Sequence, residues 1–193
     1  IPLLYALTIA VLYAPVTLLD RSLQAPLYYS HGLAPATQPA GPVNTFNVDL
    51  ATPAYYEWPV DVLIGRMYRS GQLPLWNPYQ GAGAPLAAQY SSRAFFPYQI
   101  AQNVAPISSW DLFTLGRLWV AGLLTFLFLR NLAVSRVSAF AGGLFFMFSG
   151  AFVWFVNLEQ MANVGMVAPA LLLGIEGFWR WHWRSAVAVT AVA

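Results

Sequence analysis

Residues 137–156, VSAFAGGLFFMFSGAFVWFV, contain no charged side chain in 20 positions. A helix needs about 20 apolar residues to cross the hydrocarbon core of a bilayer, so this stretch predicts a transmembrane span. The whole composition points the same way. Of the 193 residues, 59% are hydrophobic, 16% aromatic and 8% charged, whereas a soluble domain carries about 25% charged residues. These values exclude a soluble enzyme, and the aromatic content excludes a disordered chain.

The charged residues are nine arginines and seven carboxylates, with no lysine, and the formal net charge is +2. This charge is too small for a nucleic-acid-binding surface, so no nucleic-acid partner is predicted. The chain has no cysteine, which excludes disulfides, thiolate metal sites and cysteine nucleophiles. The predicted class is an integral membrane protein whose first partner is the lipid bilayer.

Further apolar stretches predict spans on both sides of span three at 137–156. Residues 1–19 form predicted span one, 110–129 span two, and about 161–179 span four. Span four contains Pro169, which membrane helices tolerate when neighbouring groups satisfy the freed carbonyl. The last nine residues, SAVAVTAVA, look like the start of a fifth span. We therefore expect these 193 residues to be part of a larger membrane protein.

Arginines in short turns predict the orientation of the spans. Arg130 and Arg136 flank the turn between spans two and three, and Arg180 and Arg184 flank the turn between spans four and five. Both turns are therefore predicted to be cytoplasmic, and the long loop after span one extracytoplasmic. The predicted organisation is a transmembrane helix at 1–19, an extracytoplasmic loop at 20–109, and transmembrane helices two to four with the start of a fifth at 110–193.

The long loop holds 11 of the 14 prolines and two predicted helices. Thr52 and Pro53 are typical of a helix start, and Ser70-Gly71 of its end. A second helix is predicted from Pro97 through Val104. The first helix is amphipathic, so we expect it to lie flat in the headgroup layer. Its predicted apolar face carries Tyr56, Val60, Leu63, Ile64 and Met67, and its polar face carries Glu57, Asp61, Gly65 and Arg69.

The order of several short motifs resembles that of a known family. An early Asp49-Leu50 in the loop precedes the amphipathic helix, and Gly71–Tyr79 then reads GQLPLWNPY. Gly83–Leu86 reads GAPL, and Phe95–Pro97 reads FFP, before the span pair that is closed by a short basic turn. This arrangement resembles the YfhO-like bacterial membrane proteins of the GT-C glycosyltransferase superfamily, from Ile1 to about Arg180.

The resemblance implies an all-α, polytopic, GT-C-like bundle that lies in the bacterial cytoplasmic membrane and acts on its outer face. It implies transfer of a sugar from a polyprenyl-phosphate donor to a cell-envelope glycan or lipid acceptor. The acidic residue of the first external loop in such enzymes matches Asp49, which is therefore the predicted catalytic base. The alternative for Asp49 is a turn aspartate that caps local backbone N–H groups.

Other charged residues are predicted to bind the substrate. Glu57 and Asp61, spaced i,i+4, could hold a divalent cation or sugar hydroxyls, or could simply form a solvated face. No other cofactor is predicted. Glu159 could face the site or be a surface carboxylate. The loop arginines Arg66, Arg69 and Arg93 could bind the donor phosphate.

Arg117 lies about two turns inside span two, where an arginine is costly unless it has a partner. It could clamp the donor phosphate, extend to the outer headgroups, or pair with Asp111. Two other functions also stay open for the whole chain. One is a transporter or flippase of lipid-linked sugars, and the other is a non-catalytic membrane protein of envelope assembly.

Overall fold

The computed structural model of the protein is mostly helical, which confirms that part of the predicted fold class. It describes residues 1–19, 21–24, 52–156 and 158–181. Asp49 and the predicted start of a fifth span lie outside these ranges. The chain divides into two compact units. Unit 1 comprises Ile1–Arg21 and Thr114–Ala193, and unit 2 is the continuous segment Ser22–Phe113.

Eight α-helices and one β-hairpin are present in the described residues. In chain order the helices are α1 (Pro2–Leu12), α2 (Ala14–Leu18), α3 (Trp58–Arg69), α4 (Pro97–Val104), α5 (Trp110–Asn131), α6 (Arg136–Met147), α7 (Gly150–Trp154) and α8 (Glu159–Trp181). A π-helical turn leads into α3, and two 3-10 turns precede α4 and α5; these turns are Pro53–Glu57, Tyr90–Ser92 and Ile107–Ser109. Strands β1 (Trp76–Asn77) and β2 (Ala84–Pro85) pair antiparallel.

Three helical segments are long and apolar enough to cross a membrane. They are Ile107–Asn131, Arg136–Trp154 and Glu159–Arg180, and they contain most of predicted spans two, three and four. The helices predicted for spans two and four are confirmed. Helix α8 continues through Pro169, as a helix can when other groups compensate for the missing N–H.

Predicted span three is not one unbroken helix. Helix α6 ends at Met147, and α7 begins at Gly150 after a two-residue break. The Ser149 hydroxyl accepts a hydrogen bond of 3.4 Å from the backbone N–H of Phe152, which is the contact of a residue that caps a helix N-terminus. Helix α7 therefore has its own N-terminus within the apolar stretch, and this N-terminus follows the end of α6.

The continuous helix predicted over residues 1–19 is wrong, because the chain breaks at Tyr13 between α1 and α2. Pro15 has no backbone N–H, and its ring excludes the preceding turn of a regular helix. The 11 residues of α1 have a length of about 16 Å along the helix axis. This length is about half the thickness of the hydrocarbon core of a bilayer, which is about 30 Å.

Small residues let the helices of unit 1 approach closely. Tyr5 of α1 is fully buried, and its hydroxyl donates a hydrogen bond of 3.0 Å to the carbonyl of Phe140 in α6. The two rings stack with their centroids 4.9 Å apart. A Cβ at Gly143 would collide with the Tyr5 hydroxyl. Gly143 therefore makes room for the tyrosine, as small residues do between membrane helices.

In unit 2, the predicted helix is present as the π-helical turn Pro53–Glu57 followed by α3, which ends at Arg69 with Ser70 as its C-cap and Gly71 next at a positive φ of 75°. Its apolar residues Val60 and Ile64 are buried in a core with Leu86 and Ala94. Because this face already packs within the unit, the prediction that the helix lays it on a membrane is wrong. Helix α4 is confirmed with the predicted start and end.

Helices α3 and α4 touch at Gly65. A Cβ at this position would collide with the backbone carbonyl oxygen of Asn103 in α4. A carbonyl oxygen cannot swing aside as the end of a side chain can, so the contact requires glycine. This close approach brings the charged residues of α3 next to the amide side chains of α4.

We expect Gly65→Ala to destabilise the protein by about 1–3 kcal/mol, because the added methyl group must push the two helices apart. The matched control is Gly150→Ala, since a Cβ at Gly150 meets no atom within 4 Å. Chemical unfolding in detergent micelles, followed by circular dichroism, measures the difference. Equal stability of the two variants would contradict the close α3–α4 contact.

Candidate functional site

Glu57 and Asp61 lie in a buried ion cluster of unit 2, so the prediction of a solvated face is wrong for both. Each is 2% exposed. The Arg93 guanidinium contacts Asp61 Oδ2 through Nη2 at 2.7 Å and Glu57 Oε2 through Nη1 at 3.4 Å. The Arg93 guanidinium thus lies between the two carboxylates, where a divalent cation was one of the predicted alternatives.

Arg93, whose guanidinium lies between the two carboxylates, has an unusual backbone conformation. Arg93 has a positive φ of 49° at the end of the Tyr90–Ser92 turn. This left-handed conformation costs a residue with a Cβ about 1–2 kcal/mol. The next residue is held to α3, because the Tyr68 hydroxyl donates a hydrogen bond of 2.7 Å to the carbonyl of Ala94. Burial raises the pKa of Tyr68 above its ordinary value of 10.0, so this hydroxyl keeps its proton at neutral pH.

Amide side chains of α4 complete the cluster. The Asn103 Nδ2 group donates to Asp61 Oδ1 at 3.2 Å, and the Gln99 Nε2 group donates to Asn103 Oδ1 at 3.0 Å. Gln99 and Gln102 are fully buried, and Asn103 is nearly so. Buried polar groups need such partners to offset the loss of water. Sequence reasoning missed these amides; their i,i+4 spacing in the short α4 was the available signal.

The two predicted phosphate-binding arginines of α3 have different surroundings. The Arg69 Nη1 group donates to the carbonyl oxygens of Asn103 and Val104 at 3.0 and 3.1 Å. Arg69 therefore caps the last turn of α4, where a cation is favourable. Arg66 is exposed, and its side chain makes no ion pair or hydrogen bond with any residue that the structure describes.

A groove of about 400 Å³ runs along the Arg66 side of α3. Most of its wall is apolar, and the polar and aromatic residues that line it are Arg66, Asn77, Trp58 and Tyr79. Such a mixture of apolar surface and a few polar groups is typical of small-molecule sites. The remaining lining residues are Pro59, Val60, Val62 and Leu63.

The β-hairpin supplies Asn77 and Tyr79 to this groove. Trp76 pairs with Pro85 and Asn77 with Ala84. The Asn77 side-chain oxygen accepts a hydrogen bond of 2.9 Å from the backbone N–H of Tyr79. No described residue accepts a hydrogen bond from the Asn77 Nδ2 group. That group can therefore donate to a ligand.

Arg117 and Glu159 form a second buried ion pair, in unit 1. Arg117 Nη2 lies 3.5 Å from Glu159 Oε2, and Arg117 Nε donates to Asn163 Oδ1 at 2.8 Å. Arg117 is fully buried, and the Glu159 side chain is 16% exposed. Asp111, which the sequence offered as one alternative partner of Arg117, accepts a hydrogen bond from the Leu23 N–H in unit 2. Because Arg117 is fully buried and paired with Glu159, the alternative in which it extends to the headgroups is wrong.

The predicted site residues that the structure describes therefore separate into four surroundings, one of which is Arg69 at the end of α4. Glu57 and Asp61 come together around Arg93, and Arg117 and Glu159 come together with Asn163. Arg66 lies alone on the groove. Among the described residues, no group of three or more His, Asp or Glu side chains is placed to hold a metal ion. Comparisons of the chain with protein-family models, with curated proteins and with solved structures found no match.

We expect Arg93→Gln to cost about 3–5 kcal/mol of stability, because it leaves two buried carboxylates without their cation. The matched control is Arg66→Gln, which removes an exposed arginine of the same unit and should change stability by less than about 0.5 kcal/mol. Chemical unfolding in detergent micelles measures both.

A triple variant, Glu57→Gln with Asp61→Asn and Arg93→Leu, tests whether the loss of stability in Arg93→Gln comes from unpaired buried charge or from the changed shape of the side chain. Removing all three charges should restore most of the stability that Arg93→Gln loses, since a neutral cluster carries no desolvated ion. A loss for Arg93→Gln no larger than that for Arg66→Gln would contradict the ion cluster.

Proposed function

We propose that this chain belongs to a membrane glycosyltransferase that transfers a sugar from a polyprenyl-phosphate donor to a cell-envelope acceptor. The order of the loop motifs, with GQLPLWNPY at Gly71–Tyr79, supports this proposal through its resemblance to YfhO-like proteins. The three membrane-length helices are consistent with a donor that stays in the bilayer. The basic short turns support an extracytoplasmic position for unit 2 in a bacterial cytoplasmic membrane.

The groove beside α3 is the observation that carries the proposal. A sugar phosphate needs a cation for its phosphate, hydrogen-bond donors for its hydroxyls, and an aromatic surface for the C–H face of its ring. Arg66, Asn77, and the pair Trp58 and Tyr79 offer these groups in that order. Arg66 makes no ion pair with a described residue, so an anion could bind it without breaking an existing contact.

Asp49 is the proposed general base. Its carboxylate takes the proton of the acceptor hydroxyl as the hydroxyl oxygen attacks the anomeric carbon. The bond between that carbon and the phosphate oxygen breaks, and its electron pair leaves on the polyprenyl phosphate. The Arg66 guanidinium lowers the energy of the departing phosphate by offering hydrogen bonds to its oxygens.

The other predicted substrate-binding residues receive structural roles in this proposal. Glu57 and Asp61 hold Arg93, and Arg69 caps α4. A phosphate clamp at Arg117 would have to displace Glu159 and Asn163 from a fully buried guanidinium. Breaking a buried ion pair is strongly unfavourable, so Arg66 is the better phosphate-binding residue.

We expect Asp49→Asn to lower the rate of sugar transfer by about 10²–10⁴, while donor binding persists, because an amide cannot accept the proton. Asp20→Asn is the matched control and should leave the rate unchanged. The measurement is transfer from a labelled polyprenyl-phosphate sugar in proteoliposomes that hold the protein with any sequence naturally adjoining these 193 residues. Asp49→Asn with more than about a tenth of the wild-type rate would remove Asp49 from this role.

We expect Arg66→Gln to weaken donor binding about 10- to 100-fold, the range for losing a hydrogen bond to a charged group. Arg136→Gln, which replaces another exposed arginine, should bind the donor normally. Equilibrium binding of the labelled donor gives both affinities. Unchanged affinity in Arg66→Gln would contradict the groove as the donor site. Donor movement across the membrane without any transfer would instead favour the flippase.

A further inference from the structure

Unit 2 contains a long stretch without charge. The 23 residues 70–92, SGQLPLWNPYQGAGAPLAAQYSS, lie between Arg69 and Arg93 and include no acidic or basic side chain and no histidine. Both flanking arginines point into contacts of their own, with the end of α4 and with the ion cluster. The β-hairpin lies within this stretch, so none of its neighbours along the chain from residue 70 to residue 92 carries a charge.

Large apolar side chains of this stretch face outward. Leu73, Leu75, Trp76 and Tyr79 are 61%, 54%, 50% and 83% exposed. We call these four residues the hairpin surface. Leu86, in the same stretch, is by contrast fully buried in the core of the unit. The exposure is therefore selective: Leu86 builds the core, whereas these four residues and Tyr90, which is 66% exposed, are left outside it.

Backbone contacts position Leu75 and Trp76 of the hairpin surface. Strands β1 and β2 pair through Trp76 and Pro85, and the Leu86 N–H donates a hydrogen bond of 2.8 Å to the carbonyl of Leu75. Gly83, with a φ of 98°, lies against the Trp76 ring, where a Cβ would approach the ring nitrogen to 2.5 Å. Leu75 and Trp76 are thus exposed while the hairpin backbone is paired.

The lipid–water boundary fits this surface best. Tryptophan and tyrosine are enriched there because each has an apolar ring and one hydrogen-bonding group. Because residues 70–92 carry no charge, the hairpin surface can enter that layer without the cost of desolvating an ion. For the same reason, the stretch has no charged side chain with which a charged protein partner could form an ion pair. Unit 2 is also joined to the apolar segment Ile107–Asn131, and this tether raises the local concentration of bilayer around it.

We propose that the hairpin surface inserts into the interfacial layer of the bilayer, between the headgroups and the first acyl carbons. Membrane contact by unit 2 then comes from the hairpin, because the apolar face of α3 is occupied by the core. Insertion needs neither a sugar donor nor transfer, so it stands or fails separately from the proposed enzymatic function.

Single-cysteine labelling can test the insertion directly, since the chain contains no cysteine. Leu75→Cys and Tyr79→Cys are each labelled with a small polarity-sensitive fluorophore in the protein reconstituted into phosphatidylcholine–phosphatidylglycerol vesicles. Tyr55→Cys is the matched control, since Tyr55 is a 56% exposed aromatic residue of unit 2 outside the uncharged stretch. Val137→Cys, 80% exposed on α6, reports a position in a membrane-length helix.

We expect lipids that carry a quencher near the headgroup to quench the Leu75 and Tyr79 probes at least twofold more than the Tyr55 probe. Aqueous iodide should show the opposite order. Circular dichroism of each labelled variant checks that the fold is kept. Iodide access at Leu75 and Tyr79 equal to that at Tyr55 would overturn the proposal.

A second copy of this chain is the alternative occupant, and the same probes identify it. In that case the Leu75 and Tyr79 probes would be shielded from iodide without being quenched by the lipids. Their shielding would also fall as the lipid-to-protein ratio rises. Either result would overturn insertion, whereas lipid quenching that is independent of protein density supports it.

Discussion

A carboxylate cannot be buried alone, because taking one out of water costs several kcal/mol unless a cation and hydrogen-bond donors replace the solvent. Unit 2 buries two, Glu57 and Asp61, one helical turn apart. The rest of the unit is arranged around this constraint. Arg93 adopts a left-handed backbone to reach both carboxylates, and Asn103 donates to Asp61 from α4. Gly65 is the point at which the two helices approach closely enough for these contacts.

Unit 1 meets the same constraint with other residues. Arg117 is fully buried, and it is neutralised by Glu159 and held by Asn163. The chain has few charges, and several of them are used in pairs within each unit. Arg66 differs, since it is exposed beside the groove and has no ion-pair partner in the described part of unit 2. The charges of Glu57, Asp61, Arg93, Arg117 and Glu159 therefore pair with one another within the units. The charge of Arg66 is available to a ligand.

The helix at Trp58–Arg69 uses three sides for three purposes. One side packs into the apolar core through Val60 and Ile64, and a second carries the buried Asp61, with Glu57 in the turn just before the helix. The third side, with Trp58 and Arg66, forms the wall of the groove. Because the apolar side of this helix is buried, the lipid contact that we propose for unit 2 comes from the hairpin, and the groove is lined by residues of both the hairpin segment and α3. The proposed donor site and the proposed membrane contact therefore share Tyr79.

The sequence by itself determined the helices, because hydrophobic length and turn residues act locally. Pro53, Gly71, Pro97 and the apolar runs predict α3, α4, α5 and α8 correctly. Tertiary structure decided which charges are buried and with whom. Helical periodicity places Glu57 and Asp61 on a polar face, but only the packing of α4 shows that this face meets amides and arginine rather than water. The partner of Arg117 likewise depends on packing, because Glu159 lies 42 residues away in the sequence and only the folded chain brings the two together.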